Sequence, residues 1–172
     1  ATIEKNKMTG CNSICLGGTT TFKNNILKKF TGQGRHSGLV IWMKGGGEIR
    51  IINNQFIRFD AYAFKLEKTS NRSTLILQNN NFRHNHSNLK LSRLYFNKGN
   101  FSIKENNFYN YRNHHVSIFG PKPENNSASL QLAANYWGKS SLEKLIKNTV
   151  DNSESPQPKL DVVFTPLSTK AN

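Results

Sequence analysis

All five histidines of this 172-residue chain stand within three residues of an arginine. They fall into recurring clusters: Arg35 and His36, Arg83 with His84 and His86, and Arg112 with His114 and His115, while Arg58 pairs instead with Asp60. Successive arginines of this set are 23, 25 and 29 residues apart. Guanidinium groups grip carboxylate or sulfate bidentately, so a periodic set of them suits a polymer bearing one anionic group per unit. Trp42, Tyr62 and Tyr95 are close enough in sequence to offer flat surfaces to sugar rings.

Catalytic groups are scarcer. A lyase or epimerase acting on an acidic sugar needs a base and charge neutralisation, and a glycosidase needs two positioned carboxylates. Only Asp60 and Glu67 lie near the basic clusters, and nothing in their spacing pairs them. His84 and His86 have the form of a base or of two ligands for copper or zinc, yet no further ligand accompanies them. No Ser-His-Asp arrangement, phosphate loop or zinc framework is present, so the sequence assigns no catalytic residue, no metal and no cofactor. Whether the chain is an enzyme is left open by the sequence; if it is, it would be a carbohydrate-active one, with its key residues either here or outside the chain.

The charge balance points the same way as the clusters. Lys and Arg total 24 against 10 Asp and Glu, a formal charge of +14. That surplus favours an anionic partner: an acidic glycan first, with nucleic acid as the alternative. The lysines are spread along the whole chain and the aromatic interleaving of a single-strand platform is thin, which ranks nucleic acid second. No apolar run approaches the roughly 18 residues of a membrane span. Cys11 and Cys15 read either as a pair in an exported chain or as two small apolar side chains.

What must position the clusters is a repeat. Six segments place an apolar residue five positions before a large apolar anchor and an asparagine two before it. The anchors are Met8, Leu27, Phe56, Phe82, Phe108 and Trp137, spaced 19, 29, 26, 26 and 29 residues apart. The asparagines are Asn6, Asn25, Asn54, Asn80, Asn106 and Asn135. A period of this size is one turn of a β-solenoid plus a variable loop. The segments alternate apolar and polar up to the turn, as half-buried strands do. Further short apolar strands lie between anchors, at 14–16, 39–43, 62–66, 89–91 and 116–119. An interior asparagine carries donors and acceptors, so copies stacked coil on coil satisfy one another, and asparagine tolerates the left-handed backbone of tight turns. The sequence therefore predicts an all-β, right-handed parallel β-helix of five to six coils over 1–138.

The two ends differ. Ser140 and Glu143 form a capping box that opens a helix over about 140–148, and Val162–Phe164 supply a strand over about 161–165, so 139–172 reads as a C-terminal cap. Ile3 already stands in repeat register, which leaves the opposite end without a cap. A second chain or further N-terminal coils are expected to cover it.

The asparagine repeats over 3–137 resemble the right-handed parallel β-helix superfamily of pectate lyases. The closing Asn135-Tyr136-Trp137-Gly138, the helix after it and Phe164-Thr165-Pro166 resemble the C-terminal part of bacterial and archaeal β-helix surface or carbohydrate-active proteins. The resemblance implies that the asparagine turn joins the second and third sheets, and that a substrate groove runs along the first. It implies secretion, or placement at the cell surface or in the periplasm. The expected function is binding of an acidic polysaccharide by Arg35, His36, Trp42, Arg58, Asp60, Tyr62, Arg83, His84, His86, Arg112 and His114, with a chain that is part of a lyase, epimerase or hydrolase. The alternative is a structural or adhesive solenoid, or a general binder of polyanions.

Overall fold

Alternating apolar residues before each asparagine turn give every repeat two strands at an angle, and the inter-anchor strand closes the coil. The computed structural model describes residues 1–31, 38–92, 100–109, 111–119, 130–132, 134–147, 149–152, 162–165 and 167–171. Its strands are β1 (Thr2–Glu4), β2 (Lys7–Thr9), β3 (Ser13–Leu16), β4 (Thr20–Lys23), β5 (Ile26–Lys28), β6 (Gly38–Trp42), β7 (Gly47–Ile52), β8 (Gln55–Ile57) and β9 (Tyr62–Lys68). They continue as β10 (Ser73–Gln78), β11 (Asn81–Arg83), β12 (Asn85–Ser92), β13 (Asn100–Lys104), β14 (Asn107–Phe108), β15 (Tyr111–Phe119) and β16 (Leu130–Gln131). Helix α1 (Leu142–Lys147), β17 (Thr149–Asn152) and β18 (Val162–Val163) complete the chain.

Every third strand joins the same sheet, in parallel register. Sheet A runs β1-β4-β7-β10-β13, sheet B runs β2-β5-β8-β11-β14, and sheet C runs β3-β6-β9-β12-β15-β17. The protein is thus a parallel β-solenoid. Three turns are described without interruption, residues 2–16, 47–68 and 73–92, fewer than the five to six coils expected. Strands β4–β6 and β13–β15 extend the same sheets across segments outside the described residues.

Register puts like residues over like in the core. Ile3, Phe22, Ile51, Leu77 and Ile103 form one column, and Leu39, Phe64, Leu89 and Val116 another. The anchors stack face to face, with ring centroids 4.6 Å apart for Phe56–Phe82, 4.8 Å for Phe82–Phe108 and 4.3 Å for Phe108–Trp137. These separations match the strand spacing of a sheet, so stacking and hydrogen bonding reinforce one register.

The asparagine turn divides two tasks between neighbouring residues. The first residue takes the left-handed conformation: Lys5, Asn24, Asn53, Asn79, Glu105 and Ala134 all have φ of 56–57°. The second residue builds a buried ladder. Asn25 Nδ2 donates to Asn54 Oδ1 at 3.0 Å, Asn54 to Asn80 at 3.0 Å, Asn80 to Asn106 at 3.0 Å and Asn106 to Asn135 at 3.1 Å. Each backbone N–H of the donor residue reaches the same oxygen, as Asn54 N–H does at 2.9 Å. Burying these amides costs little because nearly every donor and acceptor has a partner.

At the far end, α1 buries Leu145 and Phe164 packs edge-on to Trp137 at 5.3 Å. Strand β17 adds to sheet C beside β15, and β18 pairs with β16.

Candidate ligand-binding face

The turn from sheet B into sheet C repeats one conformation in successive coils. Lys29, Arg58 and His84 have φ of 53°, 59° and 57°, and Gly10 at the same place has 72°. Lys29 N–H bonds the Ile57 carbonyl at 3.0 Å, and Arg58 N–H bonds the Arg83 carbonyl at 3.1 Å, which places Lys29, Arg58 and His84 directly over one another. Their similar left-handed φ and in-register backbone bonds start the three exposed side chains from one column, with backbone steps of about 4.8 Å. Beside it on sheet B runs a second column of Thr9, Lys28, Ile57 and Arg83. Tyr109 continues it, with the Arg83 guanidinium 4.6 Å from its ring centroid. Tyr136 meets Tyr109 edge-on at 5.6 Å. On the other flank of the anchors, Asn107 Nδ2 donates to Asn81 Oδ1 at 2.9 Å.

Among the described residues, Lys7, Lys28, Lys29, Arg58 and Arg83 have no carboxylate within 4.0 Å. Sheet A differs: Lys23 lies 2.9 Å from Glu4, Arg50 lies 2.6 Å from Glu48, and Lys104 lies 4.0 Å from Glu105. The Lys23 hydrogen bond holds the Glu4 carboxyl below the usual carboxylate range, and Arg50 does the same for Glu48.

The sequence-predicted residues separate in three dimensions. Arg58 stands over His84 and not over Arg83, which stands over Ile57. Asp60 N–H bonds the Phe30 carbonyl and His86 N–H the Phe59 carbonyl, so these two belong to a row two residues past the column. Tyr62 begins β9, with Lys90 Nζ 4.9 Å from its ring centroid. Trp42 pairs with Lys68 at the other end of sheet C, about 20 Å from Tyr62 along the strand, and carries Lys44 at 5.7 Å. Arg35, His36 and Tyr95 lie outside the described residues, as do the side chains of Arg112 and His114. Lys28 and Lys29 belong to the face although no reading of the arginine clusters includes them.

His115, grouped with the basic clusters by sequence, is buried instead. It is 1% exposed and sits edge-on to Trp137 at 5.1 Å. Its Nδ1 accepts from Asn88 Nδ2 at 3.0 Å, and the Asn85 amide donates to Asn88 Oδ1 at 3.1 Å. Burial, with Lys144 adding to it, lowers the His115 pKa to about 3.

Glu67 is also engaged. Lys65 Nζ lies 2.8 Å from it, and the Lys65 side chain is 2% exposed. Burial pushes the Lys65 ammonium below its ordinary range, while the Glu67 hydrogen bond opposes that shift. Burial and the nearby Glu67 charge raise the Cys15 thiol, and Cys11 and Cys15 are both free. Glu67 lies five residues along β9 from Tyr62, about 16 Å. That is too far from the Asp60 turn for the carboxylate pair of a glycosidase, which spans about 5–10 Å. No group of three or more His, Cys, Asp or Glu able to hold a metal occurs among the described residues, and no described helix is long and apolar enough to cross a membrane.

No family model, curated protein or solved structure matches the chain.

Proposed function

We propose that the protein binds an acidic polysaccharide along the sheet B face and its turn into sheet C. The reading rests on one observation: Lys29, Arg58 and His84 repeat in identical turn geometry, with Lys28 and Arg83 alongside, and the described cations there lack acidic partners. A sugar chain with one anionic group per ring presents charges at nearly the coil spacing, whereas the phosphates of one duplex strand rise about 3.4 Å apart along a helix axis around which they wind. Tyr109 and Tyr136 add faces for ring stacking at one end of the cationic columns. The solenoid is proposed to be a right-handed helix of the pectate-lyase-like kind, since parallel crossovers within one sheet are right-handed in about 98% of cases. A polysaccharide ligand places it outside the cell or at its surface. It is proposed to act by binding; among the described residues near the face, Asp60 and Glu67 stand too far apart for the carboxylate pair of a glycosidase.

The test is retention on immobilised polygalacturonate and on immobilised DNA, at low and moderate salt. Arg58→Ala and Arg83→Ala together should weaken glycan binding about tenfold, or about 1.4 kcal/mol. Unchanged retention would remove the face from consideration. Equal, salt-labile retention on both matrices would instead assign a general polyanion binder.

A further inference from the structure

Two outward columns run along sheet B, two residues apart on one face. The cationic column holds Lys28, Ile57 and Arg83. The other holds Gln55, Asn81 and Asn107, in register across β8, β11 and β14. Phe56, Phe82 and Phe108 lie between them and are buried in the core. Each of these coils therefore presents an amide and, about 7 Å along the strand, a position of the cationic column. The amides are held from one side only. Asn107 is 1% exposed, and its Nδ2 donates to Asn81 Oδ1 at 2.9 Å. Because a carboxamide is planar, an oxygen turned to Asn107 leaves the Asn81 Nδ2 facing the opposite way, toward the coil of Gln55. Among the described residues neither Asn81 Nδ2 nor the exposed Gln55 amide makes a hydrogen bond. On the cationic side, the exposed Arg83 guanidinium lies over the Tyr109 ring, 4.6 Å from its centroid. A guanidinium held on a ring keeps the N–H donors of its edge for a carboxylate.

We infer that the amide column reads ring hydroxyls, so that the ligand is a uronate polymer with unesterified hydroxyls. Its carboxylates lie on the cationic side and its hydroxyls on Gln55 and Asn81. The inference rests on the acidic-polysaccharide reading and narrows it. Cations alone accept carboxylate, sulfate or phosphate. A carboxamide has two donors and an acceptor, which match a hydroxyl, whereas an ester or sulfate offers acceptors only. A row of amides beside a row of cations thus suits a chain with charge along one edge and hydroxyls along the other. Asn107, being buried, is a positioning residue that acts through Asn81.

Calorimetric titration of the full chain with hexagalacturonate and with short polyacrylate, which carries carboxylates and no hydroxyls, tests this over a range of salt. Asn81→Ala should weaken hexagalacturonate binding about fivefold at every salt concentration and leave the salt dependence unchanged, because an amide releases no counterions. Its affinity for polyacrylate should match that of the parent. Arg83→Ala should weaken both ligands and flatten the salt dependence. Gln55→Ala, at an exposed position, should show the same hydroxyl-dependent loss, and it decides the matter if Asn81→Ala does not melt like the parent. Hexagalacturonate affinity unchanged in both amide variants but lowered in Arg83→Ala overturns the inference and leaves the acidic-polysaccharide reading standing. Equal losses against the two ligands overturn it as well, since the amides would then act only through the cations. A parent chain that does not bind hexagalacturonate removes both readings together.

Discussion

Asn80→Ala should be among the most damaging single substitutions in the ladder, and Asn6→Ala among the mildest, although both remove the same side chain from the same motif. Asn80 is fully buried, and its Oδ1 is the acceptor for Asn54 N–H at 2.9 Å and Asn54 Nδ2 at 3.0 Å. Its Nδ2 donates to the Ile51 and Gln78 carbonyls at 2.8 and 2.9 Å and to Asn106 Oδ1 at 3.0 Å. Truncation orphans a buried N–H outright, which costs about 1–3 kcal/mol, and weakens two carbonyls besides. Asn54 Nδ2 keeps the Phe22 and Ile52 carbonyls, and Asn106 Oδ1 keeps the Asn80 N–H, so part of the loss is absorbed. The sum is about 3–4 kcal/mol. Asn6 is exposed and, among the described residues, its side chain only donates, so its loss should cost under about 1 kcal/mol. Urea unfolding followed by far-ultraviolet circular dichroism measures both. With a slope of about 2–3 kcal/mol/M, the midpoint for Asn80→Ala should fall by about 1 M more than that for Asn6→Ala. A difference between the two below about 0.5 kcal/mol would refute the ladder as a source of stability.

Three further outcomes follow from the charges. Burial lowers the folded pKa of Lys65, so between that lowered folded pKa and about 10.4 the unfolded chain binds more protons and stability rises with pH; Lys65→Met should flatten that rise in unfolding curves taken from neutral to alkaline pH. His115 has a folded pKa near 3, so below about 6.5 the unfolded chain takes a proton the folded one refuses, and stability should drop by up to about 1.4 kcal/mol per unit of pH. The drop should be smaller in His115→Gln, and identical slopes for the two proteins between pH 6.5 and 4 would show His115 to be protonated in place. In calorimetric titrations with oligogalacturonates of increasing length, affinity should climb over the first four or so sugars, one per coil from Lys29 to Tyr109, and then level off; length independence beyond the dimer would contradict an axial ligand.

The fold was legible because each coil repeats its instructions. Phe56, Phe82 and Phe108 stand 26 residues apart with an asparagine two before each, and that regularity reappears as stacked rings and a hydrogen-bonded column. Doubled asparagines hid a division of labour, since Lys5, Glu105 and Ala134 take the left-handed position equally well. Only the second asparagine is chemically required. The Lys65–Glu67 pair was not legible: β9 alternates as an outward-facing lysine on a strand would, and nothing local in the sequence says that Lys65 is buried. His115 was misplaced because nearness to Arg112 in sequence says nothing of burial: it lies between the pairs Ser87–His114 and Leu89–Val116, level with the buried Asn88, and packs against Trp137.

The candidate face shows why the choice of origin matters in a solenoid. Counted from one arginine to the next, Arg58 and Arg83 are 25 residues apart and read as successive members of one stripe. Counted from the anchors, Arg58 is two past Phe56 while Arg83 is one past Phe82, and a one-residue offset moves a side chain to another column. The same count puts Lys29 two past Leu27, Gly10 two past Met8 and His84 two past Phe82, which are the positions that share the left-handed turn. A buried anchor cannot slip without exposing a phenyl ring and breaking the ladder beside it, so the core holds the turn residues in register to within one strand spacing. Outward side chains are free to vary, and in three adjacent coils they are Lys29, Arg58 and His84. The core thus acts as the ruler and the turn carries the charges, so removing a ring such as Phe82 should disturb the spacing of that column as well as the stability of the stack.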